Sequence, residues 1–121
     1  MSPMERTLAI IKRHGLKWWK VEYWQQWARR RVDLFNIIDL IVLDAGIVGV
    51  QVCGSDFAAH KRKLLKDEAD NTKAWLKNGG KIELWGWRKL KKVKGKKATH
   101  WKPRIADITL YNGELYFEER G

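Results

Sequence analysis

Cysteine is all but missing, with Cys53 standing alone in 121 residues. A single thiol closes no intramolecular disulfide, and the multi-cysteine patterns of structural zinc sites are excluded with it. That usage fits a reducing, intracellular setting. Long apolar runs are missing too: no stretch approaches the ~20 apolar residues that a membrane span needs. The opening "MSPMERTLAIIKRHG" breaks its apolar positions with Glu5, Arg6, Lys12 and Arg13, so neither signal peptide nor transmembrane helix is expected. The expected location is the cytoplasm, the host's if the source is viral. There is no internal repeat, and low complexity is confined to one lysine-rich segment. Acidic residues are in short supply, 14 Asp and Glu against 25 Lys and Arg, for a formal net charge of +11. An imbalance of that size favours a polyanionic partner, nucleic acid first. The length suits one domain with one core.

The patterning that is present predicts an α/β order. Leu8 and Ile11, flanked by Ala9 and Ile10, give a helical stripe over about Met4–His14, started by Ser2 and Pro3 and stopped by Gly15. In "LKWWKVEYWQQWARRR" the first half alternates like a strand and the second half is irregular. Asn36 to Leu43 and Ile47 to Cys53 are apolar runs separated by Asp44–Gly46, a β-hairpin signal. One long helix is expected next, capped near Ser55 or Asp56 and closed by Gly79 and Gly80, with Phe57, Leu64, Leu65, Ala69 and Leu76 as its apolar stripe. "KIELWGW" then returns as a strand parallel to the one holding Gln51. Residues 88–104 read as a basic loop, and residues 105–119 as a terminal hairpin around Asn112-Gly113.

Inside these apolar runs lie polar residues that need partners, since a buried carboxylate is costly without one. Hairpin pairing about Asp44–Gly46 sets Asp39 across from Gln51, and alternation puts Gln51 and Cys53 on one face. An Asp, a side-chain carbonyl and the backbone carbonyl of Val52 are hard oxygen donors of the kind Mg²⁺ accepts. Asp33, in "RRRVDLF", reads as a second ligand, a cap, or a partner of Arg29–Arg31. Cys53 reads as a small structural residue.

The stretches "VDLFNIIDLIVLD" and "GVQVC", then a basic helix and "WLKNGGKIELWGWRKL", resemble the PD-(D/E)XK nuclease superfamily. Within it they are most similar to the small archaeal-type and phage-encoded Holliday-junction resolvases. The resemblance covers about Glu5 to Leu90 and rests on the order and spacing of short motifs. It implies a restriction-endonuclease-like core in a single domain, a mixed β-sheet flanked by helices in αβββαβ-like order. Glu5 matches the first-helix glutamate that assists metal binding, and Asp39 matches the core aspartate. Gln51 stands where Glu or Asp is usual, and Cys53 where the catalytic lysine is usual. The superfamily is known to move that lysine to the neighbouring helix, where "AAHKRKL" offers Lys63 first and then Lys61, with Arg62 and His60 close by. The implied metal is Mg²⁺ or Mn²⁺, held by Asp39, Gln51, Val52, Glu5 and Asp33. The implied activity is phosphodiester hydrolysis in DNA, with four-way junctions as the main candidate substrate. Two symmetric cuts imply a homodimer.

Arg29, Arg30, Arg31, Arg62, Lys89, Lys91 and Lys92 are candidate phosphate contacts. Of the eight tryptophans, Trp18, Trp19, Trp24 and Trp27 are candidates for stacking on unpaired bases, whereas Trp75, Trp85 and Trp87 read as core or interface. Two other readings stay open. One is a DNA-binding module whose nuclease site has decayed, and the other is a nickase or restriction-like nuclease of duplex DNA.

Overall fold

Ser2 and Pro3 stand where a helix needs a side-chain acceptor and then a residue without an N–H. In the computed structural model, which describes residues 1–121, α1 spans Pro3–Arg13 and the Ser2 hydroxyl accepts the Glu5 N–H at 3.1 Å. Glu5 in the first turn and Lys12 and Arg13 in the last complement the helix dipole. Gly15, at φ +71°, ends the helix. Thr7, Leu8 and Ile11 are its buried face, and the Thr7 hydroxyl accepts the Trp87 indole N–H at 2.9 Å.

Five strands follow: β1 (Lys17–Lys20), β2 (Tyr23–Gln25), β3 (Arg30–Val32), β4 (Leu40–Leu43) and β5 (Ile47–Cys53). Next come α2 (Phe57–Arg62), a π-helical turn over Lys63–Asp67 and α3 (Ala69–Lys77), then β6 (Lys81–Lys91), β7 (Thr99–Tyr111) and β8 (Glu114–Glu119). Six strands form one mixed sheet in the order β1-β4-β5-β6-β7-β8, while β2 and β3 pair only with each other. Only β5 and β6 are parallel, and the α2–α3 segment is the crossover that such a pair requires. Alternation along the strands sorts the core into two layers. Leu40, Val42, Val48, Val50, Trp85 and Trp87 pack with Leu8 and Ile11 of α1. Ile38, Cys53, Ile82, Leu84 and Ile108 pack with Phe57 and Leu64 from the crossover. The result is a single α/β domain, its mixed sheet flanked by helices.

Leu40 pairs with Val50 and Leu43 with Ile47, the register expected from the turn at Asp44–Gly46. The Asn112-Gly113 turn joins β7 to β8, with φ of +50° and +79°. Four segments differ from expectation. The first apolar strand starts at Leu40, not Asn36, because Phe35 and Asn36 adopt φ of +52° and +61° and fold Leu34 back onto Ile38. The long helix is interrupted by its π-turn, and the Thr72 hydroxyl donates to the Leu64 carbonyl at 2.7 Å. Residues 88–104 are mostly strand: Arg88 pairs with Lys102 and Lys91 with Thr99, leaving Lys92–Ala98 as the connection. Backbone pairing needs no buried side chain, and the Arg6 guanidinium stacks 3.9 Å from the Trp101 ring to hold this arm. The irregular stretch before Asp33 contains the β2–β3 hairpin.

Gly49 explains how the 33–38 loop seats on the sheet. A Cβ there would meet Ile38 Cδ1 at 2.6 Å, and Ile38 is fully buried. Gly49→Val should therefore lower unfolding stability by ~1–3 kcal/mol through overpacking, measured by urea denaturation. An unchanged midpoint would mean that Ile38 is not locked against β5.

Candidate active site

Asp39 sits one residue before β4, and its N–H donates to the Val50 carbonyl at 2.9 Å, so the ladder holds its backbone. Its carboxylate Oδ2 accepts the Val52 N–H at 2.8 Å and the Gln51 amide N–H at 3.0 Å. Gln51 is completely buried on β5. Its NH₂ also faces the Ile37 carbonyl at 3.1 Å and Asp33 Oδ2 at 3.2 Å, both from the loop seated by Gly49. On its other side, Gln51 Oε1 accepts from Lys63 Nζ at 3.2 Å and lies 3.0 Å from His60 Nδ1. Lys63 Nζ reaches Asp33 Oδ2 at 3.0 Å. Because an ammonium has only donors, it must meet the carbonyl end of the amide, and this orients Gln51.

Two carboxyls so close cannot both ionise freely. Burial pushes Asp39 up to about 9, reinforced by its hydrogen bond with Asp33 and opposed by the Val52 N–H. Burial also acts to raise Asp33, but hydrogen bonds with Asp39, Lys63 and Gln51 outweigh it and hold Asp33 below the ordinary carboxylate value. Asp39 thus carries the proton and Asp33 the charge, next to Lys63. Burial pushes the Cys53 thiol up to about 12, which keeps it protonated and unreactive.

The cluster opens into a cleft of about 550 Å³ lined by Glu5, Lys20, Glu22, Arg31, Asp39 and His60, among others. Carboxylate oxygens of Glu22, Asp33 and Asp39 lie within 4.8 Å of one another. A shared proton and a trio of hard oxygen donors fit a hard divalent cation, which would take the place of that proton. Asp56, expected as a helix cap, makes no capping bond. Its carboxylate instead meets His60 Nε2 at 3.0 Å.

Of the residues expected to form a site, Asp33, Asp39, Gln51 and Lys63 are brought together, and Glu5 and Val52 line the adjoining cleft. Gln51 turns its carbonyl oxygen toward Lys63 and His60 and its NH₂ toward the acids, the reverse of the orientation a ligand to their cation needs. Lys61 does not reach the cluster. Two residues before Lys63 on the helical path, it points to β8 and lies 4.4 Å from the Phe117 ring. Arg29, Arg30 and Arg31 are on the β2–β3 hairpin, where Arg31 pairs with Glu22 at 2.9 Å. Arg62 is exposed, 3.9 Å from Asp67. Lys89 and Lys91 lie on the exposed arm of β6, and Lys92 begins the connection beyond it. Glu22 was not expected at the site and Asp56 was expected only as a helix cap, although Glu22 is the one acid in "KWWKVEYWQQWARRR". No family model matches the chain, and neither a curated protein nor a solved structure does so. No helix is long and apolar enough to cross a membrane.

The raised Asp39 gives a pH signature. Between about 3.8 and about 9 the folded protein keeps a proton that the unfolded chain has released, so its stability falls as pH rises through that window. Asp39→Asn imitates the protonated form and removes this slope. Thermal melts of the two proteins should diverge in favour of the Asn variant as pH rises from 5 toward 9. Parallel pH profiles would mean that Asp39 is ionised in the folded protein.

Proposed function

We propose that the chain is a metal-dependent DNA endonuclease of restriction-endonuclease-like fold, with branched DNA, four-way junctions above all, as its substrate. The observation that carries the reading is the convergence of Asp39, Gln51 and a helix lysine at one end of the sheet. Lys63 arrives from the segment after β5 and ends 3.0 Å from Asp33 and 3.2 Å from Gln51. The succession of α1, three strands of the main sheet, a helical crossover and a parallel strand supports the αβββαβ order that the sequence resemblance implies.

Asp39, Asp33 and Glu22 would hold Mg²⁺ or Mn²⁺, with Glu5 on the cleft wall beside them. When bound, such an ion supplies charge neutralisation at the phosphate and a water of lowered pKa. The chain's own residues do the rest. Lys63 sets an ammonium where the charge on a pentacoordinate phosphate grows. Lys20 and Arg31 line the cleft and offer cations to the flanking phosphates. Gln51 fixes Lys63 and Asp33 relative to Asp39, which makes it a positioning residue. Symmetric cutting of a junction needs two such sites, so the reading includes a homodimer.

One observation favours a second reading, a DNA-binding module without nuclease activity. The Gln51 NH₂ already lies between Asp33, Asp39 and the Ile37 carbonyl, satisfying acceptors that a cation would otherwise serve.

A labelled four-way junction, a linear duplex and a single strand, each with Mg²⁺, Mn²⁺ or EDTA, separate the readings. The nuclease reading expects paired, metal-dependent nicks in the junction. Asp39→Asn should abolish cutting and retain binding, and Lys63→Met should slow it ~100-fold or more. Lys61→Met should cut at nearly the wild-type rate. Tight binding without cutting in every metal would establish the second reading.

A further inference from the structure

The β2–β3 hairpin carries large aromatic side chains on its surface. Trp27 at its turn is 85% exposed, Trp24 58% and Tyr23 55%. Large aromatic side chains left in water on one short element mark an interaction surface. β2 and β3 pair with no other strand, so the hairpin adds nothing to the main sheet. It is held at its base, where the Val21 and Glu22 N–H groups donate to the Asp39 carbonyl, which leaves its tip in water.

What covers these rings is set by the charge around them. Trp24 lies directly across the ladder from Arg31, and Gln25 across from Arg30. Lys17 and Lys20 are on the strand just before. A second copy of this chain seated on the hairpin would set Arg30 and Arg31 against like charges. A nucleic-acid strand with unpaired bases answers both features, since its phosphates meet the cations and its bases stack on the rings. Paired bases inside a duplex offer no such faces. The base of the hairpin also borders the candidate active site, where Glu22 and Arg31 line the cleft with Asp39.

We infer that the β2–β3 hairpin is a stacking platform for unpaired nucleobases, and that it holds the single-stranded side of a duplex boundary next to the cleft. This rests on the nuclease reading only for its purpose, which is to set where on the DNA the cut falls. Binding itself needs no metal and no catalysis.

The test compares a forked DNA bearing two unpaired arms with a blunt duplex of the same paired sequence, by fluorescence anisotropy in EDTA. The wild type should prefer the fork. The W24A/W27A variant should bind the fork ~tenfold or more weakly and leave blunt-duplex affinity within about twofold, since the phosphate contacts remain. The W24Y/W27Y variant keeps aromatic faces and should restore the preference. Both positions are exposed, and circular dichroism checks that each variant is folded. An unchanged fork-to-duplex ratio in W24A/W27A overturns the inference. So does a change in mass by light scattering in that variant, which would make the hairpin a contact between copies of the chain. A protein that cuts no DNA in any metal but shows the fork effect sinks the nuclease reading and supports the platform.

Discussion

The candidate site depends on one buried amide. Gln51 has two N–H donors and two lone pairs, and the structure places three acceptors on one side of it and two donor groups on the other. Those partners come from the 33–38 loop, the residue before β4, and the two successive segments after β5. Removing the amide would take the side-chain donor from the Ile37 carbonyl and the acceptor from His60 Nδ1, while Asp39 keeps the Val52 N–H and Asp33 keeps Lys63; a buried group so orphaned costs ~1–3 kcal/mol. The same geometry keeps Asp33 and Asp39 close enough to share a proton and sets Lys63 on the ionised one. Electrostatics and local fold are therefore not separable at this point.

Around that amide the molecule is divided by charge. The cleft is acidic at its floor, with Glu22 and Asp39, and basic at its rim, with Lys20 and Arg31. This arrangement suits a ligand that is anionic overall and brings or meets a cation at its centre, as a phosphodiester does. The long-range field acts in the same sense, and its effect weakens with salt. Arms of basic strand beyond the core, such as Arg88–Lys91, extend that field without contributing buried apolar area.

Much of this was legible in the sequence for physical reasons. The β4–β5 register followed from turn chemistry and the period of two, so Asp39 and Gln51 could be set opposite each other without coordinates. The parallel return of β6 followed from the helical crossover. Three features were hidden. "DLFNII" reads as strand by its apolar content, and nothing local announces that Phe35 would take φ +52°, a strained value for a bulky residue. The π-turn at Lys63–Asp67 is a backbone irregularity that periodicity cannot report, although it begins only at Lys63, whose own N–H keeps the α-helical bond to the Ala59 carbonyl. Which of Lys61 and Lys63 faced inward was open because the rotation of α2 against β5 is set by tertiary packing, which puts His60 and Lys63, one turn apart, on Gln51. Glu22 was hidden because it reaches Asp39 through a tertiary approach, with the Val21 and Glu22 N–H groups both donating to the Asp39 carbonyl.

The proposed function requires that a hard divalent cation replace the proton held between Asp33 and Asp39. Calorimetric titration of Mn²⁺ near neutral pH, repeated in buffers of different ionisation enthalpy, counts the protons released on binding. About one proton released per Mn²⁺ bound is expected, with loss of both binding and release in Asp39→Asn. Mn²⁺ binding without proton release, or binding unchanged by Asp39→Asn, would rule out a cation held by this carboxyl pair.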